Sequence, residues 1–331
     1  MSEKIVFEFN GALADQHQMN FYEAARFQYA AARLLVKLAQ FRSTGRFRQK
    51  ITDVSNLGII LESQSEGSFR INTDAPDPNS RVESQTENAF LNMSLSSLLA
   101  YVIERVIEKT DDDDLISLFN AIPEITDRFG RLSPDDSKRL EEIVRLLIVD
   151  PELRGTIFPE ASELIERRIS EVTRQDSLAI ASGQVAKIDG PREQKLISMA
   201  APLISEMATA LRRSADTLKI HGRSSGTPSN VLYLNQPMAQ GILSSKVDDQ
   251  ITPILGNIIQ YNKETGWGKV RLGNFEQPLS FSVPSDKKSS LQDMLLSQMG
   301  REQVYLQVYM VRDRAREPIR VIVAGILPLP E

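Results

Sequence analysis

Cysteine is absent from the 331 residues, and histidine occurs only twice, at His17 and His221. Without thiols the chain excludes a disulfide framework, Cys-based zinc or iron–sulfur sites and a thiol nucleophile. Two histidines so far apart leave most His-dependent metal and triad chemistry short of parts. No charge-free apolar run reaches about 18 residues, so no membrane span is expected. The opening MSEKIVFEF has no basic segment followed by an apolar stretch and does not read as a secretory signal. There is no P-loop, no G-x-G-x-x-G after a strand and no H-E-x-x-H. These absences point to a soluble cytoplasmic protein with no cofactor or metal and no convincing catalytic constellation; an enzyme built on Asp and Glu alone stays open, though no such pair stands out.

What is present is unevenly charged. Net charge is −5. Residues 1–75 carry 9 basic and 8 acidic groups, residues 76–250 carry 20 and 28, and residues 251–331 carry 10 and 8. A middle of −8 between two slightly basic ends argues for three folding units. The first, residues 1–75, opens with a strand from Lys4 to Phe9, in which Ile5, Phe7 and Phe9 alternate with Lys4, Val6 and Glu8. A long Ala/Leu helix from about Asn20 to Phe41 follows, and Leu57–Leu61 with Ser68–Asn72 reads as a hairpin.

An acidic helical domain is expected over residues 86–221. Its helices are Leu91–Lys109, Leu115–Ala121, one from the cap Ser133-Pro134-Asp135-Asp136 through Val149, Ala161–Arg174, and a long one spanning Glu193–Lys219. The last carries Leu196, Ala200, Leu203, Met207, Leu211 and Leu218 on one stripe, which suits bundle core or an oligomer contact. The Gly/Ser/Pro-rich stretch Gly222–Asn230 reads as a linker within a connecting segment, 222–250. Residues 251–331 give five strands, at Ile254–Tyr261, Trp267–Leu272, Leu279–Val283, Val304–Val311 and Ile319–Ile326, with a short helix Leu291–Met299 before the fourth. That pattern fits a small OB- or SH3-like barrel. The fold expected is α+β: a small α/β N-terminal module, a helical middle and a C-terminal five-stranded barrel.

Within the barrel, the segment Gly256 to Val270 holds Tyr261-Asn262 before a turn and then Gly266-Trp267-Gly268. It resembles the first hairpin of cold-shock-type OB folds, in which exposed aromatics stack on bases. The resemblance implies a base-stacking role for Trp267 and a further aromatic at Phe281. It departs from that family where Lys269-Val270 follows the second Gly and where Ser280-Phe281-Ser282-Val283 stands in place of Phe-Val-His. Stacking contributes about 1–3 kcal/mol per base. Tyr261, Lys263, Trp267, Lys269, Arg271 and Phe281 are therefore candidates for contact with nucleic acid or a protein partner, and packing inside the barrel is the plainer role for Trp267.

A second candidate surface lies on the first long helix. Arg26, Arg33 and Lys37 are spaced by seven and four residues, within about 20–40° of one another around the axis. No acid occurs between Glu23 and Asp53, while Arg42, Arg46, Arg48 and Lys50 continue the run with Phe41 and Phe47 interleaved. Such a face can track phosphates, or dock on acidic protein surface of the same chain or another copy. Asp111–Asp114 directly precede Leu115 and suit a helix start better than a metal site, because metal loops alternate ligands with spacers. Gly222-Arg223-Ser224-Ser225-Gly226 matches G-x-S-x-G but lacks the strand-to-helix turn of a nucleophile elbow.

The first 75 residues, with their strand, Ala/Leu helix and hairpin ending in Gly67-Ser68-Phe69, loosely resemble an N-terminal module of bacterial accessory proteins in conflict (defence) systems. The function expected is a non-enzymatic binding or scaffold protein that assembles through its helices and meets a protein partner or a second copy with its ends. The alternative is a nucleic-acid-binding protein that uses Trp267 and the basic run Arg26–Lys50.

Overall fold

Strand β1 (Glu3–Asn10) buries Ile5, Phe7 and Phe9 and turns Lys4, Val6 and Glu8 to a half-covered face, as the alternation requires. A computed structural model of the chain describes residues 3–46, 50–52, 59–62, 69–75, 89–110, 112–155, 159–224, 227–273, 275, 277–312 and 317–327. Helix α1 (Phe21–Thr44) begins where Asn20 accepts a hydrogen bond from the Glu23 amide and ends at Gly45, whose φ of 65° is the left-handed conformation of a helix C-cap. A side chain at Gly45 would also meet the Phe90 ring. Strands β2 (Ile60–Glu62) and β3 (Phe69–Ala75) form the expected hairpin, with residues 57–58 and 67–68 outside the described residues.

The N-terminal sheet is not complete within residues 1–75. β1 pairs antiparallel with β3 on one side, Phe7 opposite Ile71, and on the other with β4 (Thr217–Ser224), Phe7 opposite Ile220. β5 (Thr227–Asn235) pairs with β4, giving the antiparallel order β2-β3-β1-β4-β5. This corrects two expectations. The long helix does not reach Lys219, because Leu218 and Ile220 are buried on alternate positions with Lys219 and His221 between them, a period of two. The stretch Gly222–Asn230 is not a linker, since its described residues lie in the two paired strands, with Ser224 opposite Thr227. Hairpin turns and flexible linkers share a Gly/Ser-rich composition.

The middle of the chain is helical. It comprises α2 (Leu95–Val106), α3 (Asp112–Asn120), α4 (Pro123–Phe129), α5 (Ser137–Val149), α6 (Pro151–Gly155), α7 (Pro159–Ile180), α8 (Ser182–Val185) and α9 (Gly190–Met207). Asp112 to Asp114 occupy the first turn of α3, where their charge complements the helix dipole. α5 starts at Ser137, with Asp136 accepting from the Ser133 amide and hydroxyl at 2.8 and 2.9 Å, so Pro134 precedes the helix instead of opening it. Leu196, Ala200, Leu203, Met207, Leu211 and Leu218 are all buried in the core shared by the sheet with α1, α2 and α9. That stripe is intramolecular core. Helices α3 to α7 close a second core around Phe119, Ile143 and Ile165. α10 (Gln236–Ser244) and β6 (Lys246–Val247) fill the rest of the segment expected as connection.

The strands of the C-terminal unit follow the sequence pattern closely, while its helix begins at Ser285, six residues before the Leu291 expected. β7 (Thr252–Asn262), β8 (Trp267–Leu272), β9 (Leu279–Ser282), β10 (Val304–Arg312) and β11 (Pro318–Leu327) close in the order β7-β8-β9-β11-β10-β7. The β9–β11 pairing is parallel, and α11 (Ser285–Gln298) sits between β9 and β10. This closed mixed five-stranded barrel is compatible with a small OB- or SH3-like barrel.

Barrel and helices are joined by buried charge. Arg105 on α2 is fully buried, with Nε 2.5 Å from Glu193 of α9 and Nη2 2.6 Å from Asp286 of α11. Lys109 lies 2.9 Å from Glu104 and donates to the carbonyls of Thr265 and Val283 in the barrel. Glu104 also meets Arg174 of α7 and the Ser285 hydroxyl. Burial alone would raise the Glu104 and Glu193 pKa values. The cations beside them (Lys109 and Arg174, and Arg105 and Lys287) outweigh it and hold both down at about 2.

Candidate interaction surface

The outward stripe of α1 is built at helical spacing from Tyr22, Arg26, Tyr29, Arg33 and Lys37. Phe27, Ala30, Leu34, Leu38 and Phe41 turn inward and anchor the helix on the sheet, with Phe27 edge-on to both Phe7 and Phe9. The outer face is left to cations and rings. Phe21, Tyr22 and Tyr29 are 88%, 67% and 63% exposed, which is unusual for rings beside so well-packed a core. The Arg26 guanidinium lies 5.6 Å from the Tyr22 ring centroid and Arg33 lies 5.2 Å from that of Tyr29, so each ring is paired with the cation four residues on. Arg33, Val36, Lys37, Lys50 and Ile51 then line an open groove of about 490 Å³. Partial burial, with Arg33 adding to it, lowers the Lys37 pKa.

The basic residues singled out in the sequence divide here. Arg26 pairs with Glu206 of α9 at 2.6 Å while keeping a third of its side chain in solvent. Arg42 is buried and structural: its Nη1 spans both Glu3 carboxylate oxygens at 2.8 and 2.9 Å and reaches the Met93 carbonyl. Arg33 and Lys37 stay on the outer face, Arg46 is exposed beyond the C-cap, and Arg48 lies outside the described residues. Phe41 is core, and Phe47 also lies outside the described residues. Tyr22 and Tyr29 were missed in the sequence. Their signal was present, since each precedes an arginine by four residues.

The barrel hairpin is organised differently from a stacking platform. Trp267 is only 8% exposed, its ring covered by the Lys269 ammonium at 5.2 Å. Phe281 is core, and Tyr261 stacks on it at 5.9 Å with the planes 11° apart. Burial pushes the Tyr261 phenol up to about 12. Gly268 lets these rings close, because a Cβ there would lie 2.4 Å from both the Gln260 carbonyl and the Phe281 ring. Gly266, with φ of 72°, makes the turn. Asn262 ties the hairpin inward, its amide nitrogen 2.9 Å from Asp112 and 2.8 Å from Ser137 Oγ. Lys263 and Arg271 are exposed and Lys269 is half-buried, but no open ring lies among them. Tyr261, Gly268 and Phe281 thus pack together on the core face of the barrel, and Trp267 is buried on the other face of β8.

Compared with known protein families, curated proteins and solved structures, the chain matches none. Among the described residues no helix is long and apolar enough to cross a membrane, and no three His, Cys, Asp or Glu side chains gather as a metal site. The fold is that of a mixed α+β protein with a closed five-stranded barrel, and α1 carries an exposed stripe of tyrosine and arginine.

Proposed function

We propose that this is a non-enzymatic binding protein whose helical region serves as a scaffold and whose α1 stripe contacts an acidic protein surface. The observation that carries the reading is the alternation of Tyr22, Arg26, Tyr29 and Arg33 on an exposed helix face. Tyrosine and arginine are the side chains that dominate protein contact energetics, since each supplies large contact area and polar reach. The stacked arrangement holds them in place before a partner arrives, which lowers the ordering cost of binding. Exposed Val149 and Ile180 on the helical region support assembly with a second copy. Accessory work in a bacterial conflict system rests on the resemblance of the N-terminal module alone.

The nucleic-acid alternative uses the same stripe, and the two readings separate by experiment. Fluorescence anisotropy of labelled poly-glutamate and of poly-dT is measured against the full chain at low and physiological salt. Poly-glutamate binding that weakens about tenfold or more in Tyr29→Ala and Arg33→Glu supports the proposal. Tighter binding of poly-dT, with a steep salt slope, hands the stripe to nucleic acid. Binding of neither probe removes both. Sedimentation that finds only monomer at micromolar concentration removes the scaffold half.

A further inference from the structure

The groove of about 490 Å³ beside α1 combines charge of one sign with an apolar lining. Tyr29, Ala32, Arg33, Val36 and Lys37 follow one another at steps of three, one, three and one, so a single helix face makes one wall. Lys50 and Ile51, from the segment after the helix, make the other. The charged lining residues among those described are Arg33, Lys37 and Lys50, and all three are basic. The Arg26–Glu206 ion pair lies outside this lining. Lys37 is half-buried with Arg33 beside it, and two like charges so placed favour a bound anion. Between the cations the lining is apolar: Val36 is 6% exposed, Ile51 is half-buried, and Ala32 contributes only a methyl. From Tyr29 to Lys37 the helix advances by about 12 Å. That is the length of about three to four residues of extended chain.

We propose that this groove is the docking site of an acidic peptide segment that carries a large apolar side chain, with carboxylates against Arg33, Lys37 and Lys50 and the apolar side chain on Ala32, Val36 and Ile51. The inference rests on the acidic-partner reading of the α1 stripe and adds to it an apolar anchor. A stripe of charge alone accepts any acidic surface, whereas this groove rewards an acidic segment that also has apolar area to bury. The cations select and steer the partner, and the anchor supplies affinity that salt does not screen.

Fluorescence anisotropy on the full chain at physiological salt tests the site with three labelled probes: a peptide of six glutamates around a central leucine, the same peptide with serine at its centre, and poly-dT. The expected result is saturable binding of the leucine peptide, about tenfold or more tighter than that of the serine peptide. Lys50→Glu changes an exposed side chain outside the α1 helix and is expected to weaken the leucine peptide about tenfold or more. Ile51→Ser is expected to bring the leucine peptide down to the affinity of the serine peptide while leaving the latter unchanged, and Lys50→Glu decides the matter if Ile51→Ser does not fold. Equal affinity for the two peptides, or wild-type affinity for the leucine peptide in Lys50→Glu or in folded Ile51→Ser, overturns the anchored groove and leaves the acidic-partner reading in place. Tighter binding of poly-dT than of the leucine peptide, or binding of neither peptide, overturns both.

Discussion

Replacing Arg105 with methionine isolates the energetics of the buried junction. The substitution keeps volume and removes charge. Glu193 keeps Lys287 at 2.5 Å, but Asp286 loses the partner of its Oδ2, its Oδ1 has no other, and its side chain is 4% exposed. The stacking of the guanidinium on the Tyr101 ring at 3.4 Å is lost as well. Leaving one member of such a pair buried and unpaired costs about 3–5 kcal/mol, a large part of a typical domain's about 5–15. Removing both charges, as Arg105→Met with Asp286→Leu, is expected to recover most of that loss, since a buried ion pair contributes little over well-packed apolar groups. Urea unfolding followed by the emission of Trp267 reads both variants, because this sole tryptophan lies two residues from Thr265, whose carbonyl accepts from Lys109. A single-variant loss below about 1 kcal/mol, or a double variant no more stable than the single, would refute the account of the junction.

Glu104 and Glu193 have folded-state pKa values depressed to about 2, so the stability they contribute is present above their unfolded value near 4.5 and is lost as pH falls from there towards 2. Acid titration of the urea midpoint should drop steeply in that window, and a flat profile would remove the assignment. Gly268→Ala should destabilise the barrel by about 2 kcal/mol or more, since the added methyl meets the Gln260 carbonyl and the Phe281 ring; unchanged unfolding of this variant would contradict the packing described.

The barrel was the most legible part of the sequence. Trp267–Leu272 has the bounds expected, and the other four strands differ by one or two residues at one or both ends, because each is a short apolar alternation between turn residues. α1 was equally plain, being long, Ala/Leu-rich and capped. The second half of the N-terminal sheet was not. β4 and β5 lie next to a helix whose apolar stripe runs into them without a break at Leu211 and Leu218, and their pairing with β1 leaves no local mark in either segment. At the candidate surfaces, residue type was readable and direction was not. Arg26, Arg33 and Arg42 look alike in the chain, yet Arg42 falls on the face that carries Leu35 and Leu38 inward and closes on Glu3. Trp267 likewise sits in a pattern that resembles a stacking hairpin and shares a face of β8 with Lys269 and Arg271, opposite the core face of Val270 and Leu272, yet it is buried in the fold.

The place of β1 between β3 and β4 has a consequence for synthesis. The strand begins the chain, but its second neighbour ends at Ser224, roughly 150 residues after β3. At about 5–20 residues per second, the first strands and α1 wait on the order of 7–30 s on the ribosome before the sheet can close. Through that interval Phe7, Phe9 and Phe27 are without part of their eventual cover. A nascent chain halted before β4 is therefore a substrate for chaperones, whereas one halted after Asn235 already holds every strand the first sheet needs, with the barrel still to be made.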